Sequence, residues 1–210
     1  MSWLDTLQKI RSTDWSQVPD PERQSRAQDV VLMTAYASAA TSVVPLPLLD
    51  LALLVPFHTA MVMTVGHIYG RPLTKTEASR VALELGAVTG VTFAGRAAIT
   101  ALKKILLPGL GGVVAAPASF ALTWAFGQLA IEYFKHPELS KDQLKQVFER
   151  AMKDATKVFS KEAFEKFRTQ NPDPIPPTEG SQAEAPAKGP AADPEAPKKS
   201  ESMRPKKRSL

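Results

Sequence analysis

TKTEASRVALELGAVTGVTFAGRAAITALKKILLPG, residues 74–109, carries the pattern from which the architecture of the whole chain is predicted. It opens on a capping box, in which the Thr74 side chain accepts from the amide of Glu77 and the Glu77 side chain reaches back. It closes at Pro108 and Gly109, because proline cannot continue the helical ladder and glycine tolerates the reversed backbone beyond it. These residues therefore predict a long helix that ends in a sharp turn.

Small residues recur at every fourth position on both sides of this turn. They are Ala78, Ala82, Gly86, Gly90, Ala94 and Ala98 before it, and Gly111, Ala115, Ser119, Thr123 and Gly127 after it. Positions four apart lie on one ridge of a helix, so each ridge is nearly flat and allows a second backbone to approach closely. The pattern predicts that the two helices pack against each other, and that leucine at Gly86 or Gly90 would push closely packed backbones apart.

Outside this pair, the chain reads as further helices followed by a proline-rich end. Asp20, before Pro21, is placed as a capping acid of one helix, and Asp50 is placed to cap another that ends at Gly70. A capping box at Ser140 and Gln143 opens a strongly amphipathic helical pattern, whose apolar period loses its phase at Ser160. We predict an all-α protein with a compact four-helix core made of two small-residue-rich hairpins. The expected parts are an N-terminal amphipathic helix over 1–20, the core over 21–136, a basic amphipathic helix over 137–170 and a disordered tail over 171–210.

Composition and motifs argue against catalysis. The chain has no cysteine, which excludes a thiolate zinc site and a cysteine nucleophile. Its three histidines are not at ligand spacing, and no HExxH or GxSxG pattern occurs. The glycines at 109–112 are not followed by the Lys-Ser/Thr of a phosphate-binding loop. A net charge of +5 is spread along the chain without clustered Arg among aromatics. We therefore predict no enzyme, no cofactor or metal, and no nucleic-acid partner.

Two charged residues stand out within the apolar helices, Asp50 and Arg96. A charge in such surroundings is costly unless it is paired or reaches water. One interpretation is a structural ion pair, with Arg96 bonded to Asp50, Asp29 or Glu132. The other is a binding site or a polar path inside the bundle.

The flanking amphipathic helices each have two interpretations. The first, with Trp3, Leu4, Leu7 and Ile10 at helical spacing, is either an arm docked on the core or an interfacial anchor that uses Trp3. The lysine-bearing face after residue 140 is either an ordinary solvated face or a contact for anionic lipid or an acidic partner.

Two uncharged runs, residues 30–49 and 105–131, raise the question of a membrane. Each is about as long as a span requires, but both are poor in Leu and Ile and interrupted by proline. Spanning, dipping into and docking on the bilayer all remain open. The N-terminus lacks the features of a secretory leader, so the expected location is the cytoplasmic side of the inner membrane, peripheral or hairpin-embedded, and the cytoplasm if the membrane interpretation fails.

An ordered set of short motifs is similar to a known family. The set consists of Pro45-Leu46-Pro47-Leu48-Leu49-Asp50, Met61, Ile68-Tyr69-Gly70, Pro108-Gly109-Leu110-Gly111, Thr123-Trp124-Ala125-Phe126-Gly127 and Tyr133-Phe134. Over about residues 27–134 it resembles the bacterial family catalogued as domain of unknown function 697. Members of that family are often joined to a GTPase domain, and some lie in membrane-associated proteins. This chain contains no nucleotide-binding motif, so the resemblance implies a stand-alone module that serves a GTPase encoded elsewhere, with no catalytic residues to carry over.

The function predicted from these features is that of a non-catalytic, membrane-associated helical accessory or adaptor protein that regulates a GTPase partner. A small membrane-active or pore-forming helical protein is one alternative, because of the two uncharged hairpins. A soluble helical scaffold that never meets lipid is the other.

Overall fold

The computed structural model describes residues 2–42, 49–89, 115–172 and 174. In the two helices that begin at residues 49 and 115, it describes side chains from residues 55 and 116 onward. This part of the chain forms seven helices and no strand, which confirms the all-α prediction. The helices are α1 Trp3–Ser12, α2 Asp20–Thr41, α3 Leu49–Ile68, α4 Lys75–Val88, α5 Ala115–Lys135, α6 Lys141–Val158 and α7 Lys161–Gln170.

Local start signals place several helix ends where the sequence predicts them. Both arms of the capping box are present at Thr74 with Glu77, which opens α4. The same holds at Ser140 with Gln143, which opens α6. The predicted break at Ser160 is also confirmed, because this side chain accepts from the Ala163 amide and caps α7. Each cap satisfies a backbone donor that the first helical turn leaves unpaired.

The end of α3 is a tight turn that depends on two glycines. The Gly70 amide donates to the His67 carbonyl, and the Arg71 amide donates to the Gly66 carbonyl at 2.7 Å, which is the Schellman pattern. Gly70 has a φ of +76°, the left-handed conformation that glycine adopts at little cost. A Cβ atom at Gly66 would lie 2.8 Å from the Arg71 carbonyl oxygen and 3.0 Å from the Phe134 ring. The prediction that α3 ends at Gly70 is therefore confirmed, and Gly66 is required by the same turn.

Helix α2 lies at the centre of the core. It packs on α1, α3, α5 and α7, and eight of its residues between 30 and 39 are buried. A helix enclosed by protein on several sides reads as apolar all round, so the enclosure explains why this part of the uncharged run carries no charge. Among the described helices, none is both long enough and apolar enough to cross a membrane.

The small-residue ridges do not pack as predicted in the described residues. The second ridge, with Ser119, Thr123 and Gly127, lies on α2, and α5 has its largest interface there. The described part of the first ridge, Ala78, Ala82 and Gly86, is buried, but α4 packs mainly on α3 and only slightly on α5. The expected mutual contact of the two ridges is therefore wrong for this part of the chain. Helix α5 packs on α2 instead, because Ser38 of α2 is itself small and forms hydrogen bonds with Ser119 and Thr123.

The amphipathic helices belong to the same core. Helix α6 packs on α5 and buries Leu144, Phe148, Ala151 and Ala155. On α1, Trp3 is only 3% exposed and its ring stacks on Phe57 with centroids 5.8 Å apart. The docked-arm interpretation of α1 is therefore confirmed, and the interfacial anchor is wrong because the Trp3 ring is already covered by protein.

The two ends of the folded unit are joined. The Trp3 amide donates to Asn171 Oδ1 at 2.8 Å, and the Trp3 indole nitrogen donates to the Pro174 carbonyl at 3.1 Å. Asn171 is 8% exposed and also donates to the Phe167 carbonyl. We call these contacts among Trp3, Asn171 and Pro174 the terminal clasp. Asn171 was predicted to belong to the tail but is part of the fold, whereas residues 175–210 lie outside the described residues.

Candidate functional site

Several residues of the family-like motif set lie in the described part of the chain, among them the four singled out as candidate site residues, Tyr69, Gly70, Thr123 and Gly127. Asp50 lies in the first turn of α3, with its side chain outside the described atoms. Outside the described residues lie Pro45, Pro47, Arg96, Pro108, Gly109 and Gly111. The ion pair between Asp50 and Arg96 therefore stays a prediction.

Thr123 belongs to a buried chain of hydroxyl groups between α2 and α5. Thr123 Oγ1 donates to Ser38 Oγ at 3.0 Å, and Ser38 Oγ lies 2.7 Å from Ser119 Oγ. Ser119 Oγ in turn donates to the Ser38 carbonyl oxygen at 3.1 Å. Each of the three hydroxyl groups can donate to an acceptor within this chain, so the cluster is satisfied internally. Its role is to join two helices rather than to present a nucleophile.

Gly127 marks the closest approach of the same two helices. A Cβ atom built there would lie 2.3 Å from Cγ1 and 2.6 Å from Cγ2 of Val31. The side-chain amide of the next residue, Gln128, exchanges two hydrogen bonds of 2.8 and 2.7 Å with that of Gln28, which lies about one turn before Val31. Both observations place Gly127 in helix packing.

Ionisable side chains gather where the first turn of α2 meets the last turns of α3 and α5. We call Asp20, Arg23, Tyr69, Glu132 and Lys135 the Tyr69 corner. The Asp20 carboxylate lies 3.2 Å from the Lys135 ammonium and 3.7 Å from the Arg23 guanidinium. The sequence predicts Asp20 as a capping acid, but α2 begins after Pro19 and no side chain caps it. Asp20 forms these tertiary ion pairs instead.

Tyr69 has an unusual environment within this corner. The pKa of Tyr69 is raised to about 12, chiefly by burial, with a contribution from the nearby charges of Asp20 and Glu132 that the charge of Arg23 opposes. A phenol with this pKa stays protonated near neutral pH, so it can donate a hydrogen bond but cannot act as a base. In the described residues, Tyr69 Oη and Arg23 Nε are buried without a hydrogen-bond partner. The corner is suited to holding charge and donating hydrogen bonds rather than to proton transfer.

The turn after Tyr69 fastens α3 to the end of α5. The Arg71 guanidinium lies 5.6 Å from the centre of the Tyr133 ring and 5.4 Å from that of the Phe134 ring. Such cation–π contacts are worth roughly 0.5–1 kcal/mol at exposed sites. Tyr69 and Gly70 thus position a basic side chain over two aromatic residues that belong to the same motif set.

His58 is a buried histidine that the sequence predicts only as a non-ligand. It is 5% exposed, its ring stacks on Phe126 at 4.1 Å with an interplanar angle of 4°, and Nε2 has no partner in the described residues. Burial lowers the pKa of His58 to about 3, so the imidazole is neutral at pH 7. The described part of the chain also contains no group of His, Asp and Glu that could hold a metal ion. We interpret His58 as an aromatic core residue.

This burial predicts a pH dependence of stability. An imidazole in an unfolded chain takes up a proton near pH 6.5, whereas His58 in the folded protein resists protonation until about pH 3. The unfolded state therefore binds more protons between these values, and stability falls as the pH is lowered. From pH 7 to pH 5 we expect a loss of about 2 kcal/mol from this residue. The measurement is denaturant unfolding at both pH values for the wild type and for His58→Phe, which keeps an aromatic ring but cannot titrate. Identical losses in the two proteins would contradict the assignment.

The outer side of α6 carries a row of exposed basic side chains. Arg150, Lys153 and Lys157 are spaced three and four residues apart, so they share one side of the helix, and all three are exposed. Lys157 pairs with Asp154 at 2.7 Å, whereas Arg150 and Lys153 form no ion pair with any described residue. We call these three residues the α6 ridge. It lies opposite the side on which α6 packs against the core.

Comparisons with known proteins extend the resemblance beyond the motif set. A family model described as "Domain of unknown function (DUF697)" matches residues 9–157. That range begins within the last turns of α1 and includes nearly all of α6, so the match extends well beyond residues 27–134. Magnetosome membrane protein 22 of Magnetospirillum gryphiswaldense is 31% identical over 156 residues, which cover 67% of this chain and 79% of that protein. No solved structure matches the chain.

Proposed function

The chain belongs to the family described as domain of unknown function 697, and from this premise we propose that it is a membrane-associated helical accessory protein without catalytic activity of its own. The observation that carries the proposal is the similarity to a protein named as a magnetosome membrane protein, over most of that protein's length. The family match runs from the end of α1 nearly to the end of α6, so the proposal concerns most of the folded unit.

The geometry supports the non-catalytic part of the proposal. The described motif residues serve helix packing, with Gly127 against Val31 and Thr123 in a satisfied hydroxyl chain. The two residues with the largest pKa changes are poor proton acceptors near neutral pH, because Tyr69 stays protonated and His58 is too weak a base.

The membrane association can be tested by sequential extraction. Cell membranes containing the protein are washed with high salt, then with alkaline carbonate, and are finally dissolved in detergent. Release by salt would indicate attachment through charged surface contacts, which salt screens. Release only by detergent would indicate embedded segments. We expect the protein in the membrane fraction before the first wash. Recovery of nearly all of it in the soluble fraction would overturn the proposal and favour the scaffold alternative.

A finer part of the proposal is that the protein regulates a GTPase encoded elsewhere. Its support is the family resemblance together with the lack of a nucleotide-binding motif in this chain. The test is chemical cross-linking in cells followed by purification, with the Gly127→Ala variant as a control that perturbs the fold. We expect a GTP-binding protein to be captured by the wild type and lost with the variant. If no GTP-binding protein is captured, the proposed regulation of a GTPase is wrong, and the proposed membrane association is unaffected.

The pore-forming alternative has less support than the sequence indicates. It rests on two uncharged runs, and in the described part of the first run α2 is buried against four other helices. Apolar residues already covered by protein are not available to lipid unless the core opens. Release of dye from loaded vesicles would be the result that favours this alternative.

A further inference from the structure

We propose that the α6 ridge is the surface through which the folded protein meets an anionic lipid bilayer. This inference rests on the proposed membrane association and names the contact that produces it. The occupant is the layer of phosphate-bearing headgroups, and the recognising side chains are Arg150, Lys153 and Lys157.

The first support is the distribution of charge over the described residues. Helices α6 and α7 together carry eight basic and five acidic residues. The other described residues carry eight basic and ten acidic ones. The positive charge of the described unit is therefore concentrated at its C-terminal end, although the chain as a whole has only a modest excess of +5. An anionic surface would attract this end and be weakly repelled by the rest.

The second support is the geometry of the ridge. Arg150, Lys153 and Lys157 span about 10 Å along one side of a straight helix, so their heads can reach a plane together. The opposite side of α6 is fixed to the core by Leu144 and Phe148. The ridge is thus held on a rigid element, and binding does not require the helix to leave the core.

The third support is the availability of the charges. Arg150 and Lys153 form no ion pair with a described residue, and Lys157 pairs only with the exposed Asp154 on its own helix. Exposed pairs of this kind are worth about 0–1 kcal/mol, so a phosphate group can replace the carboxylate. Asp154 and Glu149 reduce the net attraction, which therefore gives reversible rather than permanent attachment.

The alternative partner for such a surface is an acidic protein. Lipid is favoured because the relative of this chain is named as a membrane protein. The ridge also places its exposed basic groups on the outer side of one helix. Such a row can bind an extended negatively charged plane without further contacts.

The experiment measures binding of the purified full chain to protein-free vesicles of phosphatidylcholine, with and without phosphatidylglycerol. The ridge variant combines Arg150→Gln, Lys153→Gln and Lys157→Gln. The matched control removes three other exposed positive charges, through Lys9→Gln, Lys75→Gln and Arg80→Gln. We expect the wild type to prefer vesicles with phosphatidylglycerol and to lose that preference in high salt. We expect the ridge variant to bind them roughly tenfold more weakly or worse, and the control to keep most of its binding. Thermal unfolding checks that both variants are folded.

Three results would overturn the inference. If the ridge variant binds vesicles as well as the wild type does, the α6 ridge is not the binding surface. If the ridge and control variants are weakened equally, only the net charge of the protein matters. Binding of the wild type to native membranes but not to protein-free vesicles would identify a membrane protein as the partner. These results leave the proposed function standing, since that is judged by cell fractionation. A soluble protein in cells that still follows the expected vesicle pattern would instead remove the proposed function and keep the ridge.

Discussion

Replacing Gly127 with alanine is expected to lower the free energy of unfolding by about 3 kcal/mol, the upper end of the usual range for overpacking. The added Cβ atom would lie 2.3, 2.6 and 2.9 Å from Cγ1, Cγ2 and Cβ of Val31. Val31 is branched at Cβ and fully buried on α2, so it has little freedom to move aside. Helices α2 and α5 would have to separate. At a helical position with room, the same substitution stabilises by about 1 kcal/mol, so a net loss reports the clash itself.

A second substitution, at Val31, tests the clash at Gly127 more directly than the single variant does. Val31→Ala removes the two methyl groups that the new Cβ atom meets, so the double variant Val31→Ala/Gly127→Ala should be more stable than Gly127→Ala alone. We expect a favourable coupling of at least about 1 kcal/mol in a double-mutant cycle measured by denaturant unfolding. Additive costs would mean that these two residues do not limit the approach of the helices.

Trp3→Ala should destabilise the protein by about 3–5 kcal/mol, the range for truncating a large buried aromatic residue. The indole is 3% exposed, stacks on Phe57 and donates to the Pro174 carbonyl, so its loss leaves a cavity and an acceptor without its donor. The comparison variant is Gln8→Ala, on the exposed side of the same helix, which should change stability by less than about 0.5 kcal/mol.

The same pair of variants tests the assignment of Trp3 to the core. Thermal unfolding of the purified protein without lipid is the measurement. A Trp3→Ala protein as stable as the Gln8→Ala protein would contradict the docked-arm interpretation of α1 and favour the interpretation of Trp3 as an interfacial anchor. A large loss in the absence of lipid supports the docked arm, because no membrane is present to account for it.

Features that depend on neighbouring residues were predictable from the sequence. The caps at Thr74, Ser140 and Ser160 and the turn at Gly70 each involve residues within a few positions, so the pattern contains the whole interaction. The all-α class follows from the same local signals. The break after α6 was visible because the apolar period loses its phase there.

Features that depend on residues far apart in the sequence were not predictable from it. A flat ridge predicts that some backbone approaches closely, but α2 and α4 are equally possible partners for α5 from sequence alone. Asp20 precedes a proline, which is typical of a capping position, and its partner Lys135 is 115 residues away. Asn171 stands in a polar, proline-rich setting, and only the Trp3 amide at the other end of the unit explains its burial.

The candidate site was predictable only in outline. Tyr69 and Gly70 were singled out through the family resemblance, whereas the charges that act on the pKa of Tyr69 come from Asp20, Arg23 and Glu132 on other helices. His58 could not be assigned from the sequence, because a histidine stacked on Phe126 and one that binds a metal look alike until their neighbours are known.

The terminal clasp also has a consequence for the order in which the molecule is made. Helix α1 leaves the ribosome before the other described helices, and Phe57, on which the Trp3 ring stacks, follows early. The two hydrogen bonds of Trp3, however, go to residues 171 and 174, near the end of the folded unit, so they can form only when almost the whole unit has emerged. We expect nascent chains stalled before residue 171 to be cut by protease near Trp3, and chains stalled well beyond residue 174 to be protected there. The terminal clasp would then close only after the helices on which α1 packs have been made.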